Sequence, residues 1–519
     1  MTSSLIRGRA RHAKGNIRVR VAHAVLGVVV GAGWLVLPVM TAGGDDPVPV
    51  APAGGVASAA APRQDGTSGA DLIMPLVAVG AAGVLAGYGY LRRTRRARTR
   101  TTPATVSVQP PVPAPAESER QARAALVLAD DCVRTSREEL SFVSRRFGPP
   151  ETEPFERAVR AAQTELTAAF AIWRRYEEGV PEDPAARRQA LVGVAGRCAE
   201  AGRRLDAAAP DLDGLRGLER GVGEALEVAE ARFRELTART ATAHVTLAGL
   251  HDRYTPLAVG SVTGYVEQAK DRLVFATSHL NQARQADDAE DAARAARQLR
   301  AAEGAVAQAG ILVGGVERLR GRLGQAAALV PAALTGAEAR IAAARTGQVR
   351  SLAAGELHAR LAHADGVLAA VRDELTKGAY DPLDALRRIA RAVARLEVGL
   401  PGVLDTAELL VAREAVDGAE DFVAVHRGAV GAQARARLAE AVRALGSGDV
   451  QRADRVARQA RELAERDVRA HGNPYAGTDS EAAGLAGAIL GGVLLAEEPD
   501  AGPPTSFGGP ETRARRRLG

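Results

Sequence analysis

The residues best suited to acid–base or metal chemistry are few, and their spacing serves neither purpose. His358 and His363 are five positions apart, whereas two metal ligands on one helical face are separated by three or four positions. His251 directly precedes Asp252, and adjacent residues on a helix do not face each other. We therefore predict surface histidines, no metal site, no cofactor and no catalytic residue.

Two other patterns imitate ligand-binding loops. Gly221 and Gly223 form a lone pair inside an apolar helical pattern, without the third glycine or the preceding strand of a dinucleotide-binding loop. Four carboxylates between Asp287 and Asp291 lack the glycine and the terminal glutamate of a calcium loop. Carboxylates are favoured at the start of a helix by its dipole. The sequence therefore predicts a protein that is not an enzyme.

The strongest functional signal is an arginine run that follows an apolar stretch. Residues 72–91 carry no charged side chain, and twenty helical residues span about 30 Å, the thickness of a bilayer core. Positive charge beside a span marks its cytoplasmic end, and each cation near anionic headgroups contributes about 1 kcal/mol. Topology and lipid headgroup contact are therefore assigned to six residues: Arg92, Arg93, Arg95, Arg96, Arg98 and Arg100.

The N-terminal region predicts a second membrane segment. Residues 1–20 hold six basic and no acidic side chains, and the apolar run 21–40 carries no formal charge. This pattern is typical of an uncleaved signal anchor, with a cleaved signal peptide as the alternative. Residues 41–71 then form a short external disordered loop. The prediction is a multi-pass protein of the cell membrane, with residues 1–20 and the region after residue 91 in the cytoplasm.

Composition and charge narrow the nature of the cytoplasmic region. Aromatic residues make up 3% of the chain, and alanine and arginine, both strong helix formers, are abundant. The net charge of +6 is concentrated beside the membrane segments, which leaves residues 101–472 close to neutral. A nucleic-acid-binding protein would carry its positive charge on the folded domain. The predicted partners are therefore the lipid bilayer and other proteins or a second copy of the chain, and not nucleic acid.

Helical periodicity begins after a basic, Pro-rich linker at 92–116. Residues 117–256 are predicted to form a bundle of long antiparallel helices, with a turn at Gly148-Pro149-Pro150 and a second helix starting near Thr152. A third helix should break at Pro210, and a fourth should run from Asp211 to Tyr254. Six residues are expected in the helix–helix seams: Val133, Leu140, Leu166, Trp173, Leu226 and Phe233. Cys198 is expected to be buried, and Cys132, beside a seam, to be the more reactive thiol.

The second half of the helical region contains a loose internal repeat. An Arg-Leu step in one helix is followed by a turn aspartate that opens the next helix, at Asp288, Asp381 and Asp449. Residues 257–472 are therefore predicted to be an array of αα-hairpins. The tail at 473–519 combines an apolar patch at 482–496, too short to span a membrane, with a basic C-terminus.

Two segments in the C-terminal part of the chain resemble a known family. Ala419–Ala441 reads AEDFVAVHRGAVGAQARARLAEA, and Ser506–Arg517 contains SFGG followed by TRARRR. Together with the span and its arginine run, they resemble the C-terminal halves of actinobacterial TPM-domain membrane proteins. This resemblance implies a bacterial membrane protein with a cytoplasmic helical half. Only residues 41–71 occupy the place of the TPM domain, which is therefore expected to be absent, so the phosphatase-type activity proposed for some TPM domains is not implied.

The predicted fold is all-α, with two N-terminal transmembrane helices followed by long antiparallel coiled-coil-like helices and αα-hairpins. The predicted function is a membrane-anchored helical scaffold or interaction protein. The alternative is a membrane-remodelling or envelope-stress protein that acts through amphipathic helices. That alternative needs a basic polar face on the helices, which a neutral region does not favour. A hydrolase is the least favoured, because no cluster of polar groups suggests a reaction site.

Overall fold

A computed structural model describes residues 115–346, 353–396, 402–471 and 506–518. These residues form helices joined by turns, and no strand occurs among them, so the all-α prediction is confirmed for this part of the chain. The predicted spans 21–40 and 72–91, the arginines from Arg92 to Arg100 and the apolar patch 482–496 lie outside the described residues.

The first three helices pack against one another around a core of large apolar side chains. Val133, Leu140, Leu166 and Trp173 are buried there as predicted, and the Trp173 ring stacks on Tyr176 with centroids 5.5 Å apart. These helices are α1 (Pro115–Arg146), α2 (Pro149–Glu177) and α3 (Pro184–Arg216).

The next helices pack around one long element. Helix α6 has 54 residues, which corresponds to about 80 Å, and it contacts α4 and α5 as well as later helices. The three helices are α4 (Gly223–Arg253), α5 (Tyr265–Asp288) and α6 (Ala292–Arg345). Among the described helices α6 alone is long and apolar enough to cross a membrane. Its residues Leu312, Val316 and Leu323 are nevertheless buried against neighbouring helices, and the core helix of a soluble protein has the same properties.

The remaining helices include two further hairpins, α7 with α8 and α10 with α11, beside the hairpin of α5 and α6. They are α7 (Ala354–Lys377), α8 (Pro382–Ala394), α9 (Val403–Val425), α10 (Ala432–Gly446), α11 (Val450–Ala470) and α12 (Pro510–Leu518). Asp381 and Asp449 cap α8 and α11 as predicted, because their carboxylates accept backbone N–H groups at 3.0–3.2 Å. The prediction for Asp288 is wrong. It ends α5, and Asp291 caps α6 instead.

Three predicted helix boundaries are also wrong. Helix α3 continues through Pro210 to Arg216, since Ala209 and Leu212 hold that turn in the core. It ends at Gly217, whose φ of +60° suits glycine, so no helix runs unbroken from residue 211 to residue 254. Helix α2 starts at Pro149 rather than near Thr152, because a proline in the first turn loses no helical hydrogen bond.

Two predictions about single side chains need correction. Cys132 is completely buried and Cys198 is 4% exposed, so Cys132 is not the more accessible thiol. Cys132 belongs to the apolar core that α1 shares with α2, α3 and Phe507, so the buried surface of α1 is wider than a single seam. Phe233 is only partly buried, whereas Leu226 is buried as expected.

Candidate functional site

Helix α1 carries a row of buried polar side chains that the helical periodicity of the sequence does not single out. Asp130, Thr135, Ser136 and Glu139 are each at most 5% exposed. Buried charges are rare in proteins unless they are paired or hydrogen-bonded. The hydrogen-bond and ion-pair partners of these side chains therefore show which part of the chain binds to α1.

Part of the row holds the C-terminal end of the chain, Ser506–Leu518, which we call the terminal segment. The backbone N–H of Phe507 donates to Glu139, and that of Gly508 donates to Ser136 Oγ at 3.1 Å. The Thr135 hydroxyl donates to the carbonyl oxygen of Ser506 at 3.3 Å. These polar groups bind the main chain, so α1 holds residues 506–508 through backbone hydrogen bonds.

An aromatic side chain anchors the terminal segment. Phe507 is fully buried and meets Phe155 of α2 edge-to-face, with ring centroids 6.0 Å apart. It belongs to the same apolar core as Leu166 and Leu205. Burial of a phenylalanine side chain contributes about 1.5–3 kcal/mol, so the ring supplies much of the docking energy.

Helix α3 supplies the other wall of this binding surface, which we call the terminal groove. The Asp206 carboxylate accepts the N–H groups of Gly509 at 2.8 Å, Thr512 at 2.9 Å and Glu511 at 3.3 Å. It thereby caps α12 from a different helix, in the position that the helix dipole favours for a negative charge.

Close backbone contact makes two glycines necessary in the terminal groove. A Cβ on Gly509 would overlap the carbonyl oxygen of Gly202, and a Cβ on Gly202 would lie 2.7 Å from Pro510 Cδ. Real Cβ atoms essentially never approach other atoms so closely. The SFGGP sequence is therefore matched to this groove by shape as well as by hydrogen bonds.

Beneath the terminal groove lies a buried ion network. Arg216 forms a bidentate pair with Glu303 at 2.6 and 3.1 Å and a second ion pair with Glu139. Burial opposes the ionisation of Glu139, but the guanidinium groups of Arg216, Arg300 and Arg516 outweigh it and lower the pKa of Glu139 to about 2. The carboxylate is thus held as an anion that accepts the Phe507 N–H.

The Ala419–Ala441 segment, which also carries the family resemblance, reaches the same helix. Arg435 of α10 is 1% exposed, and its Nη1 lies 2.6 Å from Asp130 and 2.7 Å from Asp131. In the terminal segment, Arg513 donates to Thr135 Oγ1 at 2.7 Å and to the Asp131 carbonyl at 3.1 Å. The two sequence segments that carry the family resemblance therefore meet on adjoining turns of α1.

The Ala419–Ala441 segment also contains a buried histidine. His426 is 1% exposed, and its Nδ1 lies 3.0 Å from the carbonyl oxygen of Phe422. Burial lowers the pKa of His426 to about 4, so the ring is neutral near pH 7. The neighbouring Arg427 binds Glu138 at 2.6 Å, which ties the end of α9 to α1. These roles are structural.

The other candidates from the sequence are not brought together. His358 and His363 are both exposed, and the described residues contain no group of three or more metal-ligating side chains. Cys198 is buried at a core position, where desolvation raises the pKa of its thiol to about 12. Among the described residues, these candidates from the sequence therefore do not form a common site.

The terminal groove was missed because its partners are far apart in the chain. Ser136 and Gly508 are separated by 372 positions, and helical periodicity carries no information over such a distance. One local signal was available: Asp130, Ser136 and Glu139 lie on or beside the apolar positions of α1, where uncompensated polar groups are costly.

Comparison with known proteins gives two similar sequences. No protein-family model matches the chain, and no solved structure matches it. The chain is similar to UPF0603 protein MT2410 of Mycobacterium tuberculosis (strain CDC 1551 / Oshkosh) and to UPF0603 protein Rv2345 of Mycobacterium tuberculosis (strain ATCC 25618 / H37Rv). Each is 29% identical over 426 residues, which cover 75% of this chain and 64% of the relative. The chain thus spans less than two thirds of the length of these relatives.

Proposed function

We propose that this chain is a membrane-anchored helical scaffold without catalytic activity, and that the terminal groove is its protein-binding surface. The observation that carries the proposal is the match between the groove and a peptide. Glu139, Ser136 and Asp206 each accept a peptide N–H, and Phe507 fills an apolar pocket. A groove with these features recognises a peptide by backbone and anchor, as peptide-binding proteins do.

The proposed location is the cell membrane, with helices at 21–40 and 72–91 and the arginines from Arg92 to Arg100 on the cytoplasmic side. The helical region would then lie in the cytoplasm. The resemblance to TPM-domain membrane proteins is part of the same proposal. The occupant of the groove would be the chain's own terminal segment in one state and a partner segment of similar sequence in another.

The test uses the full-length protein in native membranes, with a photoreactive amino acid at exposed position 203, next to Gly202. The wild-type protein and a Phe507→Ala variant are compared, because loss of the ring should vacate the groove. We expect discrete protein adducts that increase in Phe507→Ala and disappear when a synthetic peptide of residues 504–519 is added.

The matched control is Phe233→Ala, which removes a partly buried ring outside the groove and should leave the adducts unchanged. If Phe507→Ala yields the same adducts as the wild-type protein, the groove is not the binding surface. If both variants give lipid adducts alone, the membrane-remodelling alternative replaces the scaffold.

A further inference from the structure

An arginine-rich surface lies on three helices that take no part in the terminal groove. It is a cleft of ≈ 420 Å³ between α8, α9 and α11, which we call the arginine cleft. Its acidic side chains are Asp454 and Glu408. Its basic side chains are Arg387, Arg391, Arg395, Arg455 and Arg458. Five positive charges thus face two negative charges on one concave surface.

Asp454 is shared by more cations than it can neutralise. This carboxylate is 6% exposed and lies 3.1 Å from Arg387 Nε, 2.5 Å from Arg391 Nη2 and 3.4 Å from Arg458 Nε. The Arg458 Nε is buried yet has no hydrogen-bond partner. Arg387 has a further carboxylate, that of Asp384, only at 3.9 Å. One carboxylate therefore holds three guanidinium groups, one of them with an unused donor.

The other residues of the cleft increase the positive excess. Arg395 and Arg455 are exposed, and neither forms an ion pair with a described residue. Burial raises the pKa of Glu408, whose carboxylate has the Gln451 amide as a hydrogen-bond partner at 3.3 Å. The guanidinium groups of Arg395 and Arg455 are therefore open to a ligand that comes from solvent.

Guanidinium groups in this arrangement match one class of ligand. Arginine presents paired N–H donors in a planar fork that fits phosphate and carboxylate oxygens, and its bonds to anions are among the strongest in proteins. The cleft volume lies within the usual range for small-molecule sites. Because the positive excess is greater than one charge, a ligand that neutralises the cleft needs more than one negative charge.

We propose that the arginine cleft binds a small ligand with two or more phosphate charges, held by Arg391, Arg395 and Arg455. Such a group can belong to a soluble diphosphate or to a phosphorylated lipid headgroup. The shared chemistry is a phosphate-bearing anion that enters between α8 and α11.

The test titrates the full-length protein, in nanodiscs of zwitterionic lipid, with inorganic pyrophosphate by isothermal calorimetry. We expect one saturable site, and a loss of affinity of about 100-fold in the Arg395→Ala/Arg455→Ala double variant, since each charge-assisted bond contributes about a factor of 10. The matched control is Arg294→Ala/Arg297→Ala, which removes two exposed arginines of α6 outside the cleft. It should keep the wild-type affinity.

A second arm identifies the source of the phosphate. Nanodiscs with phosphatidic acid should compete with pyrophosphate if a lipid headgroup is the natural ligand, and should leave its binding unchanged if the ligand is soluble. All four substituted side chains are exposed, so circular dichroism should show equal melting of both double variants. The absence of a saturable site, or equal loss in the cleft and control variants, would overturn the proposal.

Discussion

The terminal groove and the arginine cleft differ in how completely their arginines are paired with carboxylates. Beneath the groove, Arg216 is buried and bidentate to Glu303, and Arg435 is buried between two aspartates. In the cleft, Asp454 is shared by three guanidinium groups, and Arg395 has no ion pair with a described residue. A buried network of matched charges stabilises one structure, whereas an open surplus of positive charge can still bind an anion.

The largest effect is expected from Glu139→Ala. The substitution leaves Arg216 and Arg300 with fewer negative partners and deprives the Phe507 N–H of its acceptor. Breaking a buried ion pair on one side costs about 3–5 kcal/mol of unfolding free energy. This loss of unfolding free energy is measured by urea denaturation of the full-length variant and wild-type proteins in the same lipid environment.

The matched control is Glu200→Ala on α3, whose carboxylate pairs with Arg203 and Arg204 at the surface. It should cause no measurable change. Equal destabilisation by the two variants would mean that the buried network is no more important than a surface ion pair, and the contrast between groove and cleft would lose its basis.

A smaller and more local effect is expected from Phe507→Ala. Truncation of a fully buried phenylalanine costs about 3 kcal/mol, which here weakens the docking of the terminal segment rather than the whole bundle. Hydrogen exchange of the Gly508 and Gly509 amides should accelerate about 100-fold, while amides in α6 keep their protection. Ala514→Ser, at an exposed position of α12, is the control and should change neither. Uniform acceleration would contradict a separately docked segment.

The contributions of Glu139 and Glu408 to the free energy of unfolding should also change with pH in opposite directions. The pKa of Glu139 is lowered from 4.5 to about 2, so its stabilisation is complete above pH 4.5 and is lost as the pH falls towards 2. The pKa of Glu408 is raised, so its contribution is present at low pH and is lost as the pH rises through the folded-state pKa. We expect the deficit of Glu139→Gln to shrink below pH 4.5 and Glu408→Gln to gain on the wild-type protein as the pH rises. The measurement is the free energy of urea unfolding of each variant relative to the wild-type protein. If both differences change in the same direction as the pH rises, the contrast between the two regions is refuted.

The smallest effect is expected from Arg395→Ala in the cleft. This side chain is exposed and forms no ion pair with a described residue, so its loss should change the unfolding free energy by less than about 0.5 kcal/mol. Relief of repulsion from neighbouring arginines can make the change slightly stabilising. A loss as large as that of Glu139→Ala would place Arg395 in a structural network instead of a binding surface.

Local patterns predicted the parts of the fold that depend on local physics. The seam residues Val133, Leu140 and Trp173 and the caps Asp381 and Asp449 follow from helical spacing and from the need of helix ends for acceptors. Boundaries failed where tertiary packing outweighed a local preference, as where α3 continues past a proline in the bundle core.

The candidate sites could not be predicted in the same way. Arg435 and Asp130 are 305 positions apart, and the arginine cleft combines residues of three helices. A charge count over residues 101–472 gives near neutrality and hides both a balanced network and a local surplus, because it ignores where each charge lies. Pairing in space is a property of the folded chain and not of composition.

The docked terminal segment has a consequence for any competitor. Ser506 is joined to His471 through residues 472–505, so the terminal segment and its groove belong to one molecule. Covalent linkage makes docking of the segment intramolecular, and a free peptide must overcome the effective concentration that this linkage gives. A partner therefore succeeds through very high affinity or through its own confinement nearby. Confinement to one bilayer would let a weak ligand displace a strong intramolecular one.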